Sequence, residues 1–183
     1  MSKIIPPSVN LRPGRRSRQM VLPDLLEPGL KLVFCGTAPG YQSAQREAYY
    51  AGTGNLFYPT LAKCGFSPAQ LEPKEYPALL TYGIGLTDLV KTAFGMDSDL
   101  EDEDYDTAAF KKKILKYQPR FVCFNGKQAA HVYFNLKSTR ELSYGIQRAT
   151  IGKTTLFVAP STSRRAAVYW DEQYWRQLKG LVG

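Results

Sequence analysis

The most informative stretch of the sequence is residues 32–55, which read LVFCGTAPG, then YQSAQREAYY, then AGTGN. Four apolar residues at 32–35 run directly into a loop of glycine, threonine, alanine and proline at residues 36–40. This pattern is typical of a buried parallel strand whose carboxyl end opens into a tight loop. Ligands of open α/β sheets bind at that end of the strands. The glycine loop, with Tyr49 and Tyr50 nearby, therefore predicts a concave site for a flat ligand such as a nucleobase.

Three further segments repeat the order of strand and polar loop, at residues 82–90, 120–124 and 154–159, and helical patterns separate them. This alternation predicts a single α/β domain, a three-layer α/β/α sandwich around a central, mostly parallel, four-stranded sheet. All four loops would then lie at one edge of the sheet. The cleft between them would collect Tyr50, Asn55, Asp88, Lys127, Ser161 and Arg165.

The composition points to a globular protein with a polyanionic partner. The 183 residues carry a formal net charge of +8 and have a sequence pI near 9.4, which favours nucleic acid. Residues 1–20, rich in Pro, Arg and Ser, predict a flexible basic arm, and residues 21–183 form the predicted domain. No apolar run is long enough to cross a membrane, and no secretory signal is recognisable. We therefore expect a cytoplasmic monomer without membrane contact.

Metal and cofactor chemistry find no support in the sequence. Cys35, Cys64 and Cys123 form no Cys-x-x-Cys pair, and three thiolates cannot hold a four-thiolate cluster. His131 is the only histidine. The acidic residues 97–104 lack the turn glycine of a calcium loop, which favours a surface loop instead. No metal site and no cofactor are predicted.

The predicted cleft has the residue types of a site for a flipped base. Backbone N–H groups of residues 36–40 can donate to an anion, and Tyr50 can stack on a base. Residues 161–165, which read STSRR, offer phosphate contacts and a long side chain able to enter a duplex. The alternatives stay open: Tyr50 could belong to the core, and residues 161–165 could be a capped helix start with solvated arginines.

Six motifs also occur in a characteristic order: DLLEPGLKLVFCG (24–36), GTAPG (36–40), GNLFY (54–58), TYGIGLTDLV (81–90), KYQPRFVCFNGKQA (116–129) and PSTSRR (160–165). In this order the chain resembles the uracil-DNA glycosylase superfamily, above all its mismatch-specific uracil and thymine DNA glycosylase branch. The resemblance implies a monofunctional DNA repair glycosylase that flips uracil out of DNA and hydrolyses its N-glycosidic bond, leaving an abasic site. Its partner would be DNA that contains uracil or another deaminated base.

The resemblance also implies roles for individual residues. The implied base-binding residues are Gly36, Thr37, Ala38, Gly40, Tyr50 and Asn55. The implied DNA-binding residues are Lys127, Ser161, Thr162, Ser163, Arg164 and Arg165. Of the two arginines, register with the family favours Arg165 as the side chain that wedges the duplex, with Ser163 where bacterial relatives carry an apolar wedge.

One departure from the family pattern moves the predicted catalytic residues. The asparagine that positions the attacking water in the family is Ala38 here, and a methyl group cannot hold a water molecule. Asn55 and Asp88 are therefore the catalytic candidates. A sister branch, the hypoxanthine-type DNA glycosylases, shares the Gly-x-x-Pro-Gly loop, paired tyrosines and an asparagine at the place of Asn55. Hypoxanthine is thus an alternative substrate, and a weakly catalytic protein that binds abasic or damaged DNA is another alternative.

Asp88 stands where relatives often have a base-reading asparagine, and its chemistry stays open. An ionised carboxylate can accept from a ring N–H of the base, whereas a protonated one can donate to its carbonyl oxygen. It could also support a water molecule or the cationic sugar of the transition state. The structural alternative is an N-cap on a helix that follows the strand.

Overall fold

The computed structural model describes residues 20–183, so the predicted basic arm lies outside the described residues except for Met20. The described chain forms a five-stranded sheet with the order β2-β1-β3-β5-β4. The strands are β1 (Leu32–Gly36), β2 (Ile84–Asp88), β3 (Phe121–Asn125), β4 (Gly145–Ile151) and β5 (Thr154–Ala159). β1 pairs in parallel with β2 and β3, β3 pairs in parallel with β5, and only β4 is antiparallel.

Helices cover both faces of this sheet. They are α1 (Tyr41–Gln45), α2 (Phe57–Lys63), α3 (Thr107–Tyr117), α4 (Lys127–Tyr133) and α5 (Glu172–Val182). Short 3₁₀ helices lie at Pro73–Tyr82, Asp97–Asp99, Asp102–Asp104, Thr139–Glu141 and Arg164–Tyr169. Among residues 20–183, no helix combines the length and the apolarity needed to cross a membrane.

The apolar strands are buried because successive side chains point into two separate cores. Leu32 and Phe34 of β1 pack with α2 and α5 on one face, where Trp175 stacks on Phe34 at 5.3 Å between ring centroids. Val33 and Cys35 pack with α3 and α4 on the other face. A strand that is covered on both faces of the sheet is a continuous apolar run in the sequence. The predicted mostly parallel α/β fold is confirmed by the pairing of the strands.

The predicted number of four strands is wrong, because β4 was not recognised. Its sequence, GIQRATI, contains no apolar run, and its middle residues are largely exposed. As the antiparallel edge strand it is held by backbone pairing with β5, through a turn in which Gly152 has a φ of 59°. An edge strand needs few buried side chains, so hydrophobic periodicity did not reveal it.

Gly85 in β2 allows the lead-in segment to lie directly against the sheet. Leu25 exchanges both backbone hydrogen bonds with Leu86, each 2.9 Å long. A Cβ at Gly85 would lie 2.6 Å from the Leu25 carbonyl oxygen and 2.6 Å from Leu30 Cδ1. This close approach positions residues 22–26. Asp24, one of these residues, lies behind the site described below.

The substitution Gly85→Ala is expected to lower the free energy of unfolding by about 1–3 kcal/mol, because a methyl group there overpacks a buried strand. The measurement is equilibrium urea denaturation. Gly180→Ala in α5 is the matched control, since a Cβ at Gly180 meets no atom within 4 Å, and it should leave stability unchanged or raise it by about 1 kcal/mol. Equal stability of Gly85→Ala and the wild type would contradict the prediction.

Candidate active site

The carboxyl ends of β1, β2, β3 and β5 open into one cleft with a volume of about 1320 Å³. Each of these strands contributes a lining residue at or just past its end: Gly36, Asp88, Asn125 and Ser161. All of the predicted catalytic, base-binding and DNA-binding residues line this cleft. The shared edge predicted from the strand-and-loop pattern is therefore present in the structure.

Gly36 and Asp88 meet at the adjacent ends of β1 and β2. The parallel register places them opposite each other. A Cβ at Gly36 would lie 2.5 Å from Asp88 Oδ1 and 3.6 Å from the Tyr50 hydroxyl oxygen. Only glycine leaves room for the carboxylate and the phenol side by side in the cleft.

Asp88 is buried, and its Oδ2 has no hydrogen-bond partner among the described residues. Burial raises the pKa of Asp88 to about 6, and the nearby charges of Lys91, Asp24 and Lys113 adjust it in opposing directions. The segment directly after β2 is not helical, and the next helical turn begins at Asp97. The structural alternative of an N-cap is therefore wrong.

Behind Asp88 lies a cluster of Asp24, Thr87, Lys91 and Lys113, which sequence reasoning missed. Asp24 accepts from Lys113 at 2.7 Å and from Thr87 at 2.7 Å, and Lys91 Nζ lies 2.9 Å from its carboxylate. Burial alone would raise the pKa of Asp24, but the charge of Lys91 and these hydrogen bonds hold that pKa below its ordinary value. No sequence signal could have joined these residues, because they come from three distant segments.

Tyr50 is strained and only partly available to a ligand. Its φ is 54°, a left-handed conformation that is rare for an aromatic residue and costs on the order of 1–3 kcal/mol. Its ring stacks on Phe57 with centroids 3.9 Å apart. Its hydroxyl is buried. Burial and the charge of Asp88 raise the pKa of Tyr50, and the nearby Asn125 side chain offsets part of that rise. Only the ring face opposite Phe57 can receive a base.

One atom of the Asn55 side-chain amide is held by a hydrogen bond within the protein, and the other is available to a ligand in the cleft. Its Oδ1 accepts from the Phe57 backbone N–H at 2.9 Å. α2 begins at Phe57, the residue whose N–H makes this bond. Because the acceptor oxygen is occupied, the Nδ2 group remains as a donor. The next backbone N–H, that of Leu56, donates to the Thr162 carbonyl at 2.9 Å and ties this turn to residues 160–165.

The glycine loop after β1 supplies backbone donors and shape. The carbonyl oxygens of Gly36, Thr37 and Pro39 accept from residues 89, 90 and 95, which fixes the loop against the segment after β2. In the described chain the N–H groups of Ala38 and Gly40 donate to no acceptor. Ala38 itself adds only a methyl group, so the loop can stabilise an anion but cannot position a water molecule through a side chain.

Thr162 lines the cleft but is fully buried, and its role as a DNA contact stays a prediction. Its Oγ1 accepts from Asn125 Nδ2 at 2.9 Å, and its N–H donates to Asn125 Oδ1 at 3.0 Å. Asn125, which the predicted site omitted, thus anchors residues 160–165 to the end of β3. The alternative of a capped helix start is also correct in part, because Ser163 Oγ accepts from the Arg165 N–H at 3.4 Å.

The rim of the cleft is cationic. Arg164 and Arg165 are exposed at one side. Lys127 and Arg140 line the cleft as well, and Lys127 Nζ lies 4.6 Å from the centre of the Tyr144 ring. Within residues 20–183, no three His, Cys, Asp or Glu side chains are grouped so that they could hold a metal ion. Asp88 and Asp97 are the carboxylates among the residues that line the cleft.

Comparison with known proteins connects this geometry to a family. Residues 23–179 match the sequence model of the uracil DNA glycosylase superfamily. The chain belongs to the uracil DNA glycosylase superfamily. Its fold is similar to the solution NMR structure of a candidate uracil DNA glycosylase from Methanosarcina acetivorans, with a TM-score of 0.60 and 21% sequence identity, over 88% of this chain and 94% of that chain.

Membership of the uracil DNA glycosylase superfamily makes the chain a DNA glycosylase, a hydrolase of DNA repair. The family predicted from the motifs is therefore confirmed. In this glycosylase the Oδ2 atom of the buried Asp88 carboxylate has no hydrogen-bond partner among the described residues. Buried groups with a perturbed pKa are typical of catalytic sites.

Asp88→Asn should change how the stability of this glycosylase depends on pH. The pKa of Asp88 is about 6 in the folded protein, above its ordinary value of 3.8, so its stabilising contribution is complete below about pH 4 and is lost as the pH rises through 6. Asparagine mimics the neutral form. The variant should therefore gain about 3 kcal/mol relative to the wild type between pH 4 and pH 8.

Urea denaturation of both proteins at pH 4, 6 and 8 measures this difference. Glu27→Gln, at an exposed position, controls for the loss of one negative charge. A difference between Asp88→Asn and the wild type that stays constant from pH 4 to pH 8 would contradict the raised pKa.

Proposed function

We propose that this DNA glycosylase flips a deaminated base, uracil above all, into the cleft and hydrolyses its N-glycosidic bond, leaving an abasic site. The observation that supports the proposal most directly is the buried Asp88 carboxylate near Tyr50, whose Oδ2 has no hydrogen-bond partner among the described residues. A cationic rim of Lys127, Arg164 and Arg165 suits the phosphates on either side of the flipped nucleotide. The protein acts on this DNA as a monomer and needs no cofactor.

The base is held by an aromatic face and by donors. Tyr50 stacks on one side of the ring, on the face that Phe57 leaves open. Asn55 donates through Nδ2 to a carbonyl oxygen of the base. The free N–H groups of Ala38 and Gly40 stabilise the negative charge that develops on the departing base, as preorganised donors do for other anionic transition states.

Asp88 acts on the sugar side of the reaction. As the bond between C1′ and the base nitrogen breaks, its electron pair leaves with the base, and the ionised Asp88 stabilises the cationic sugar. A water oxygen then bonds to C1′ and loses a proton to Asp88. A pKa near 6 suits this role, because a general base works best when its pKa lies close to the operating pH.

The lysines near Asp88 support a hydrolytic and monofunctional mechanism. A lyase would need a free amine as nucleophile, but Lys91 and Lys113 both lie within 3 Å of the Asp24 carboxylate. An ammonium group held in an ion pair is a poor nucleophile because its nitrogen has no free electron pair.

Hypoxanthine is the second candidate base. Its six-membered ring offers the same donor and acceptor pair as uracil, and the cleft volume of about 1320 Å³ leaves space for a purine. Ala38 stands where the family has its water-positioning asparagine. A protein that binds damaged DNA with weak catalysis is therefore a further candidate function.

Release of free base from defined oligonucleotides tests these functions. Duplexes with uracil, hypoxanthine or thymine opposite guanine are incubated with the enzyme, and the base is quantified by mass spectrometry together with alkali-labile abasic sites. Uracil should be released fastest. Faster release of hypoxanthine would reassign the substrate, and tight binding of abasic DNA without release of any base would favour the binding protein. DNA affinity that does not change with salt would contradict a DNA-directed function altogether.

Asn55→Asp separates the structural from the chemical role of this side chain. Aspartate keeps an acceptor for the Phe57 N–H but replaces the Nδ2 donor, so excision should fall by about 100-fold with an unchanged melting temperature. Asp88→Asn should lower excision by at least as much while abasic DNA is still bound. Full excision activity in both variants would show that the site assignment is wrong.

A further inference from the structure

The Tyr50 hydroxyl lies close to the Asp88 carboxylate, although the stacking role proposed for the Tyr50 ring does not need a hydroxyl. A Cβ at Gly36 would lie 3.6 Å from this hydroxyl oxygen and 2.5 Å from Asp88 Oδ1, so both oxygens approach the same point at the end of β1. Tyr50 and Asp88 both line the cleft. The hydroxyl and the carboxylate can therefore act on the same small group of a ligand.

Stability does not account for the Tyr50 hydroxyl. The Tyr50 ring stacks on Phe57, and a phenylalanine ring would stack there equally well. A buried hydroxyl has to be desolvated, which is unfavourable unless a partner compensates for it. The left-handed backbone conformation of Tyr50 is a second unfavourable feature. Local features that are unfavourable for stability and are nevertheless present in a cleft are typical of functional positions.

Two neighbouring tyrosines use their hydroxyls to hold the fold together. The Tyr49 hydroxyl donates to the Pro23 carbonyl oxygen at 3.1 Å and accepts from Lys91 Nζ at 3.0 Å. The Tyr58 hydroxyl donates to the Tyr49 carbonyl oxygen at 2.8 Å. The Tyr50 hydroxyl makes no such bond to the described backbone. Among these three tyrosines, Tyr50 is the one whose hydroxyl proton is available to a ligand.

The Asn125 side chain leaves the Tyr50 hydroxyl able to donate. Burial and the charge of Asp88 raise the pKa of Tyr50 well above its ordinary value, and Asn125 offsets part of that rise. An offset of this sign is the effect of an N–H donor directed at the phenol oxygen. Because the pKa remains high, the hydroxyl keeps its own proton at neutral pH. The phenol can therefore donate that proton to an acceptor in the cleft.

We propose that the Tyr50 hydroxyl and the Asp88 carboxylate together hold the water molecule that attacks C1′ of the flipped nucleotide. The hydroxyl donates a hydrogen bond to one lone pair of the water oxygen, and the other lone pair forms the bond to C1′. One water proton passes to Asp88, whose Oδ2 has no hydrogen-bond partner among the described residues. This inference rests on the proposed function, in which Asp88 is the general base.

Two contacts orient the water where one would not. A carboxylate by itself fixes the direction of a water proton but leaves the lone pairs free to rotate, and a second donor removes that freedom. Ala38 supplies only a methyl group, and Lys91 and Lys113 are paired with Asp24. The Tyr50 hydroxyl is a neutral donor beside the carboxylate, so it can orient the water without taking its proton.

Tyr50→Phe tests the proposal because it keeps the ring and removes only the hydroxyl. The substrate is a duplex that contains the base that the wild type releases fastest. The single-turnover rate constant for excision should fall by about 100-fold, whereas Kd for a duplex with a tetrahydrofuran abasic analogue should change by less than about twofold. The melting temperature should stay the same or rise, since no hydroxyl is desolvated. Excision within about threefold of the wild-type rate would overturn the inference.

Tyr58→Phe is the matched control, because the Tyr58 hydroxyl is also buried but bonds to the backbone, and Tyr58 does not line the cleft. Its melting temperature should fall, since the Tyr49 carbonyl oxygen loses its donor. Its rate constant for excision should equal that of the wild type. Equal losses of rate in Tyr50→Phe and Tyr58→Phe would show a packing effect and would overturn the inference.

The double variant Tyr50→Phe/Asp88→Asn tests whether both groups act on one water molecule. Groups that act as a unit give losses that do not multiply, so Tyr50→Phe should slow the Asp88→Asn variant by less than about threefold. A further loss of about 100-fold would overturn the inference, because independent contributions multiply. A wild type that releases no base from any of the oligonucleotides would instead overturn the proposed function.

Discussion

Asp88 Oδ1 lies so close to Gly36 that a Cβ at Gly36 would be only 2.5 Å away. This contact joins the ends of β1 and β2, the two strands whose loops form the floor of the cleft. It requires glycine in the first loop and shields the carboxylate from water. Because the sheet is rigid and buried on both faces, Asp88 cannot turn away to relieve its desolvation. The reactivity that we assign to the site originates in this enclosure.

The cleft keeps several other unfavourable features that the surrounding fold offsets. Tyr50 has a positive φ and a buried hydroxyl, and it stacks on Phe57. The ion pairs of Asp24 place two positive charges behind Asp88 and limit the rise of its pKa. A natural protein tolerates such local instability where activity requires it, which agrees with the placement of these features in a glycosylase cleft.

The fold and the outline of the site followed from the sequence because parallel strands leave a local signature. A fully buried strand has to be apolar throughout, and the loop at its end has to turn sharply, so residues 32–40 and 154–165 could be assigned without a structure. The edge strand β4 has no such signature, because its middle residues are largely exposed and need not be apolar. The internal role of Thr162 was likewise hidden, because its partner Asn125 is 37 positions away.

Taken by itself, the sequence determined the family, the parallel α/β class and the edge of the sheet at which the site lies, because motif order and hydrophobic periodicity are local properties. Only the tertiary structure decided which atoms are free to react. It occupied the Asn55 acceptor, left Asp88 Oδ2 without a hydrogen-bond partner among the described residues and gathered Asp24 with two lysines behind it. Hydrogen bonds and ion pairs between distant segments depend on how the chain is packed, and no local pattern encodes them.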